Sequence, residues 1–233
     1  MSGSGDIAVV IPARDEAERI GGTVRAAIGL PGADLVLVVD DGSRDQTRIL
    51  AERAGAAVVR HARPRGKGAA METGAEAVRL LDGQEDRAAP RHLLFLDADL
   101  GDTARCAGPL AEPVRSGEAD MTVAVFSSTV KLGGHGFVVK LSGAGIQRAT
   151  GWRPAQPLNG QRCLTRAAFD AAQPIAAGFG AETALTIDLL RRGMRVTEVE
   201  VPMAHRATGT DWRAQLHRAR QFADVGRALA RRR

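Results

Sequence analysis

The stretch Leu93-Leu94-Phe95-Leu96-Asp97-Ala98-Asp99 is a short apolar run that ends in two carboxylates. Four apolar residues with polar boundaries are typical of a buried strand. Comparable runs recur along the chain, mostly separated by stretches with helical spacing of apolar residues. They are Ile7–Ile11, Leu35–Val39, Ala57–Arg60 and Met121–Phe126. The segment Val196–Val201, in which three valines are interspersed with polar residues, is also predicted to be a strand. Because a parallel crossover needs a helix, this alternation predicts an α/β fold with a mostly parallel central sheet flanked by helices.

Helical periodicity predicts the elements between these strands. The predicted helices are Ala17–Leu30, one from Asp45 or Thr47 to Ala54, Gly68–Leu81, Val138–Thr150, Ala181–Arg192 and a C-terminal helix from Trp212. The region Gly151–Gly160 is rich in turn residues and is predicted to be a loop. No repeat or linker divides the sequence, so we predict a single domain over residues 1–233.

Composition narrows the class of protein. The chain has 233 residues, of which 44% are hydrophobic and 25% charged, the balance of an ordinary globular domain. It shows neither a signal-peptide pattern nor an apolar stretch of 18 residues, and its two cysteines lack metal-type spacing, so we expect a cytoplasmic protein. The net charge of +5 comes without aromatic interleaving or a nucleic-acid motif. This pattern favours phosphates or lipid head groups over nucleic acid as partners.

Three polar clusters follow predicted strands. They are Ala13–Glu16 after the first strand, Asp40–Ser43 after the second and Asp97–Asp99 after the fourth. A single aspartate at such a place is often only a helix cap. Three clusters, however, converge on the crevice beyond the carboxyl ends of a parallel sheet, where ligands bind.

The pair Asp97 and Asp99 has the chemistry of a hard-cation site. Two carboxylates at positions i and i+2, at the end of a strand, can both point at Mg²⁺ or Mn²⁺ and its bound phosphates. The basic turn Arg63–Gly68 opens a predicted helix, so Lys67 and backbone N–H groups can form an anion site. The alternative for this turn is a flexible surface loop.

Two other nucleotide-binding classes lack their motifs. The first strand is followed by Pro12-Ala13-Arg14-Asp15 in place of a dinucleotide fingerprint, and Gly66-Lys67 lacks the first glycine of a P-loop.

The four segments Val10–Glu16, Val38–Thr47, Gly66–Gly68 and Phe95–Asp99 together resemble family-2 glycosyltransferases. The resemblance implies a GT-A fold, with a nucleotide-sugar half over residues 1–126 and an acceptor half over 127–233. It also implies a nucleoside-diphosphate sugar donor and Mg²⁺ or Mn²⁺.

The resemblance assigns roles to individual residues of the first half. Asp40 is expected against the base, Glu16 near the ribose, Lys67 beside the donor, and Asp99 on the metal with Asp97 supporting it. The donor-binding residues expected in this way are Pro12, Ala13, Arg14, Glu16, Asp40, Gly42, Ser43, Lys67, Asp97, Ala98 and Asp99.

The segment Gly178–Thr183 is similar to a segment of glucosyl-3-phosphoglycerate and mannosylglycerate synthases, and of polyprenyl-phosphate sugar transferases. This similarity implies that His205 completes the metal site; the alternative is an ordinary surface histidine. It places Glu182 at the junction of sugar and acceptor, with Lys67 as the second catalytic candidate. Inverting members have an aspartate where this chain has Thr183, which leaves retention or inversion open.

The acceptor side includes Gly160, Gln161 and Arg162. We expect Arg162 to be free to meet a phosphate; the alternative is that this segment is a turn entering a strand. The basic C-terminal helix either packs on the domain or lies on an anionic membrane. The second option corresponds to a peripheral location at the inner face of the membrane. The sequence also leaves a homodimer open.

The sequence thus predicts a metal-dependent hexosyltransferase that uses a nucleoside-diphosphate sugar, with UDP as the expected nucleotide. Its expected acceptor is a hydroxyl or phosphate of a phosphorylated small molecule or a lipid phosphate. Two alternatives are a sugar-phosphate nucleotidylyltransferase, which would need a glycine-rich basic loop after the first strand, and a non-catalytic nucleotide-sugar-binding module.

Overall fold

The computed structural model describes residues 6–127, 136–176, 178–203, 223–230 and 232. The strands are β1 (Ile7–Ala13), β2 (Ala33–Asp40), β3 (Ala57–Arg60), β4 (His92–Phe95), β5 (Met121–Phe126), β6 (Arg162–Leu164) and β7 (Val196–Val201). The helices are α1 (Ile20–Ile28), α2 (Thr47–Arg53), α3 (Lys67–Gln84), α4 (Glu112–Arg115), α5 (Gly136–Thr150), α6 (Arg166–Ala171), α7 (Ala181–Arg191) and α8 (223–230). The segments Gly101–Leu110 and Gly178–Gly180 are 3₁₀ helices.

The seven strands form one sheet in the order β3-β2-β1-β4-β6-β5-β7. Every pairing is parallel except those of β6, which runs antiparallel to both β4 and β5. The predicted α/β fold with a mostly parallel sheet is confirmed. The sequence did not predict β6, because three residues are too few to show a strand periodicity.

The central strand β1 is buried on both faces of the sheet. Ile7, Val9 and Ile11 pack into one hydrophobic core with α1 and the 3₁₀ helix Gly101–Leu110. The alternating residues Ala8 and Val10 pack into a second core with α3, α6 and α7. A strand covered by helices on both sides is expected to be apolar throughout, as β1 is.

The register of the parallel strands brings three loops to one edge of the sheet. Ala13 at the end of β1 pairs with Asp40 at the end of β2, and Val10 pairs with Phe95 at the end of β4. The polar clusters that follow these strands are therefore neighbours in space.

An ion network lies at the opposite edge and centres on Arg91, which is only 3% exposed. Its guanidinium contacts Asp34 at 2.8 Å, Asp82 at 2.6 Å and Glu85 at 2.6 Å. The network joins β2, the end of α3 and the segment that leads into β4.

Replacing Arg91 with methionine is expected to lower the free energy of unfolding by about 3 kcal/mol, because buried Asp82 would keep only the more distant Arg87, whose Nε lies 4.0 Å away. Urea denaturation followed by circular dichroism would measure this loss. The control is Arg79→Ala, which breaks an exposed pair with Glu76 and should leave the midpoint unchanged. Equal midpoints for both variants would contradict a stabilising role for the network.

Candidate active site

The loops after β1 and β2 are held together by side-chain hydrogen bonds. The backbone N–H of Asp15 donates to Ser43 Oγ at 3.0 Å, and that of Glu16 donates to Thr47 Oγ1 at 2.8 Å. The expected donor-binding residues of these two loops therefore lie side by side at one edge of the sheet. They are Pro12, Ala13, Arg14, Glu16, Asp40, Gly42 and Ser43.

Asp40 is buried at the end of β2, with 1% of its surface exposed. Its Oδ1 accepts from the backbone N–H of Ser43 at 2.9 Å, and its Oδ2 lies 3.3 Å from Arg60 Nε. Sequence reasoning missed Arg60, which ends β3 and brings an exposed cation to the position expected for the base.

The turn that contains Asp97 and Asp99 is fixed by Thr23 of α1. The Thr23 hydroxyl donates to the Ala98 carbonyl at 2.8 Å and accepts from the Gly101 N–H at 2.8 Å. Both carboxylates are half-buried. A buried threonine thus sets the conformation of the predicted hard-cation motif.

Lys67 forms the junction between the two sides of the site. It is the first residue of α3, and its Nζ lies 2.7 Å from Asp97 Oδ1 and 2.9 Å from Glu182 Oε1. Burial lowers the pKa of Lys67, but the charges and hydrogen bonds of the two carboxylates outweigh it, so the pKa is raised. The ammonium is therefore charged at neutral pH.

Gln161 completes this junction by donating from Nε2 to Asp97 Oδ2 at 2.8 Å. Both oxygens of Asp97 are therefore engaged, one by Lys67 and one by Gln161. Among the sequence-predicted residues, the fold brings together Lys67, Asp97, Gly160, Gln161 and Glu182.

A glycine is needed at position 160 because the side chains of Lys67 and Asp97 approach its backbone closely. A Cβ at this position would lie 2.4 Å from Lys67 Nζ and 2.9 Å from each oxygen of Asp97. Any side chain here must therefore push the lysine away from the aspartate.

We expect Gly160→Ala to lower kcat/KM for the predicted transfer by about a hundredfold, because it displaces Lys67, the catalytic candidate, and misplacing such a group costs about that much. The control is Gly143→Ala in α5, where a new Cβ would have its nearest neighbour 3.8 Å away. Steady-state kinetics on both variants would measure the difference. Wild-type rates for Gly160→Ala would argue that the Lys67–Asp97 contact is not needed in turnover.

Asp41 organises the basic turn that precedes Lys67. It is 5% exposed, and it accepts hydrogen bonds from the backbone N–H groups of Arg65 at 2.7 Å and Gly66 at 2.8 Å. Asp41 thus occupies the two amides that precede α3, whereas the predicted anion site concerns Lys67 and the N–H groups of the helix N-terminus and stays a prediction. Sequence reasoning assigned no role to Asp41 beyond its place in an acidic cluster.

The expectation that Arg162 is free to meet a phosphate is wrong. Its side chain is 1% exposed, and the guanidinium donates to the carbonyls of Asn159, Glu182 and Pro157 and to Thr186 Oγ1. Arg162 begins β6, so the alternative of a turn entering a strand is the correct one. Burial is the largest influence on this guanidinium and lowers its pKa.

Glu182 lies in the first turn of α7 and is 8% exposed. The next residue, Thr183, is fully buried, and its hydroxyl is 2.7 Å from the Ser142 hydroxyl of α5. Thr183 therefore joins α7 to α5. A small hydroxyl side chain suits this buried contact at the position where inverting members have an aspartate.

The strand-end carboxylates bear on whether the site can hold a divalent metal. Among the described residues, no three His, Cys, Asp or Glu side chains form a metal cluster. Mg²⁺ that is bound through substrate phosphates usually needs only one or two carboxylates from the protein. Asp99 therefore fits as the direct ligand, with a supporting role for Asp97, whose two oxygens each accept a hydrogen bond. The predicted third ligand, His205, lies outside the described residues.

The C-terminal region is described only in part. Trp212 and the first part of the predicted C-terminal helix lie outside the described residues, whereas 223–230 is helical and buries Val225 completely. This described part packs on the domain. No helix in the part of the chain that the structure covers is long and apolar enough to span a membrane.

The fold and the site define an α/β protein in which the crevice at the carboxyl ends of the parallel strands joins acidic loops to a lysine junction. The family profile of Glycosyl transferase family 2 matches residues 8–171, and the chain belongs to this family. It is 31% identical over 209 residues to Glycosyltransferase AglJ of Haloferax volcanii, an alignment that covers 88% of this chain. The chain spans 65% of the length of that relative.

Solved structures of glucosyl-3-phosphoglycerate synthase from Mycobacterium tuberculosis share the fold. Its complex with Mn²⁺, uridine diphosphate and phosphoglyceric acid has a TM-score of 0.75 and 26% identity, covering 97% of this chain and 78% of that one. Its complex with Mn²⁺, uridine-diphosphate-glucose and glycerol 3-phosphate has a TM-score of 0.73 and 25% identity, covering 97% and 80%. The GT-A fold that the resemblance implied is thereby confirmed.

Proposed function

We propose that this protein transfers a hexosyl group from a nucleoside-diphosphate sugar, with UDP as the nucleotide, to a phosphorylated acceptor. The observation that carries the proposal is the Lys67 junction. One ammonium contacts Asp97 of the acidic, strand-end side and Glu182 of α7. A cation that lies between the donor side and the acceptor side would stabilise the negative charge that a departing diphosphate gains.

On the donor side, the proposal assigns the nucleoside to the joined loops after β1 and β2. Buried Asp40, held by Ser43 and Arg60, would accept from the base, and Glu16 would bind the ribose. The diphosphate would lie over the end of β4, where Asp99 and Asp97 would hold Mg²⁺ or Mn²⁺. When bound, such an ion neutralises the phosphates and makes the diphosphate a better leaving group.

On the acceptor side, Glu182 and Gln161 are the residues proposed to orient the attacking hydroxyl. Glu182 is within hydrogen-bonding reach of Lys67, so its carboxylate is held in a fixed position. The synthase complexes contain phosphoglyceric acid or glycerol 3-phosphate. Together with the net charge of +5, they support a small phosphorylated acceptor. In this scheme residues 1–126 form the donor half and 127–233 the acceptor half.

The test is a donor screen with Mn²⁺, in which UDP release is measured with each nucleotide sugar, with and without phosphorylated acceptors. We expect release of UDP that depends on both substrates, and mass spectrometry should find a product heavier than the acceptor by one hexose. In a parallel assay with UTP and a hexose 1-phosphate, formation of the nucleotide sugar with release of pyrophosphate would instead indicate a nucleotidylyltransferase. Transfer only to a polyprenyl phosphate would replace the small acceptor with a lipid phosphate, and binding without any turnover would favour a non-catalytic module.

A further inference from the structure

A buried chain of hydrogen bonds lies behind the basic turn that leads into Lys67. His61 follows β3 and is 6% exposed. Its Nδ1 is 2.7 Å from Asp41 Oδ1, and its Nε2 is 2.9 Å from Thr73 Oγ1 of α3. Asp41 in turn accepts from the N–H groups of Arg65 and Gly66. This series of hydrogen bonds therefore runs from the middle of α3, through His61 and Asp41, back to the residues just before α3.

The charge of Asp41 determines which atom carries the proton in its hydrogen bond with His61. Burial raises the pKa of Asp41, but hydrogen bonds from His61, Arg65 and Gly66 outweigh it and hold the pKa below its usual range. Asp41 is thus an ionised acceptor at neutral pH, so His61 Nδ1 must be the donor in their contact. The Thr73 hydroxyl meets the other ring nitrogen, which keeps the ring from rotating.

We propose that His61 is a positioning residue for Lys67. By holding the Asp41 carboxylate, it fixes the Arg65 and Gly66 amides and therefore the point at which α3 begins. Lys67 is the next residue, so the direction of its side chain toward Asp97 and Glu182 depends on this anchor. The consequence for turnover rests on the proposed function, whereas the structural part does not.

A role in packing alone does not account for this arrangement. Both ring nitrogens of a buried histidine have partners, and the carboxylate accepts two backbone amides besides the ring. The backbone is also tight at this place, since Gly42 has φ +72° and a Cβ there would lie 2.9 Å from the Pro64 nitrogen. The turn is therefore held against β2 by close backbone contact and by the carboxylate together.

Two amide variants of His61 separate the contacts. In His61→Asn the amide nitrogen occupies nearly the position of Nδ1 and keeps a donor to Asp41, but it cannot reach Thr73. In His61→Gln the amide nitrogen occupies nearly the position of Nε2 and keeps the Thr73 contact, but it loses Asp41. Both variants put an amide in the same pocket, so a general packing role would affect them similarly.

The first readout is residue-level amide hydrogen exchange at Arg65 and Gly66, measured by NMR, which needs no turnover. We expect near wild-type protection in His61→Asn and about tenfold faster exchange in His61→Gln, the size of effect that one hydrogen bond produces. The second readout is kinetics with the donor identified in the screen. His61→Gln should lower kcat about tenfold, because Lys67 contacts both Asp97 and Glu182, whereas His61→Asn should keep kcat near the wild-type value. Arg79→Ala on the exposed face of α3 serves as the control for both.

Equal exchange at Arg65 and Gly66 in the two variants would overturn the proposal. If His61→Gln does not fold, Asp41→Asn provides the same test, because one amide oxygen cannot replace both carboxylate oxygens; unchanged protection in that variant would also overturn it. Wild-type protein that transfers no sugar, with the exchange pattern as expected, would refute the proposed function and leave the anchor in place. Normal sugar transfer by the wild type, together with equal exchange in the two variants, would support the proposed function and refute the anchor.

Discussion

Replacing Lys67 with methionine should lower kcat for sugar transfer by about 10³-fold, because removing one preorganised charge-stabilising group at a reacting centre costs about that much. The same change leaves Asp97 and Glu182 without their shared cation, with Glu182 buried. Because the lysine and Asp97 are partly solvated, we expect a loss of roughly 2 kcal/mol in the free energy of unfolding, less than for a fully buried pair. Single-turnover kinetics and urea denaturation would measure the two effects separately.

Two further variants isolate these effects of Lys67. Lys140→Met removes an exposed lysine of α5 and should change neither quantity. Adding Glu182→Gln to Lys67→Met should recover part of the lost stability without recovering transfer, since it removes a buried uncompensated carboxylate. A Lys67→Met enzyme that is folded and turns over within about twofold of wild type would refute the role of the junction in leaving-group stabilisation.

Replacing Asp99 with alanine should abolish nearly all transfer, by about 10³-fold or more, while the fold survives. The carboxylate is the proposed direct ligand of the divalent ion, and the electrostatic help of such an ion is worth several kcal/mol. The fold should tolerate the change because Asp99 is half-buried and the turn is held by Thr23 through Ala98 and Gly101. Circular dichroism and a Mn²⁺ titration of activity would test both statements.

The matched control for Asp99 is Asp102→Ala, which removes an exposed carboxylate one turn later, with 77% of its side chain exposed. This variant should keep the wild-type rate and metal dependence. If Asp99→Ala turned over normally with saturating donor, the metal assignment would have to be abandoned. His205→Ala extends the test beyond the described residues, and we expect it to weaken the metal dependence.

The main strands and the donor side of the site could be predicted from the sequence because their signals are local. The β-branched segment Val196–Val201 is long enough to predict a strand, and β7 has those bounds in the structure. The carboxylates that follow β1, β2 and β4 had to face one crevice, since parallel strands end at a common edge. The short strand β6 lacked such a signal, and the buried Arg162 at its start was mistaken for a surface cation.

The α/β class, the family and the acidic residues at the strand ends follow from signals in the sequence, because periodicity and motif spacing act over a few neighbouring residues. The contacts between side chains, in contrast, depend on how the whole chain folds. Lys67, Asp97 and Glu182 come from three separate elements, and their contact depends on the sheet order and on the absence of a side chain at Gly160. The tertiary structure likewise set Asp41 and His61 behind the basic turn, since buried polar groups must find hydrogen-bond partners wherever the folded chain supplies them.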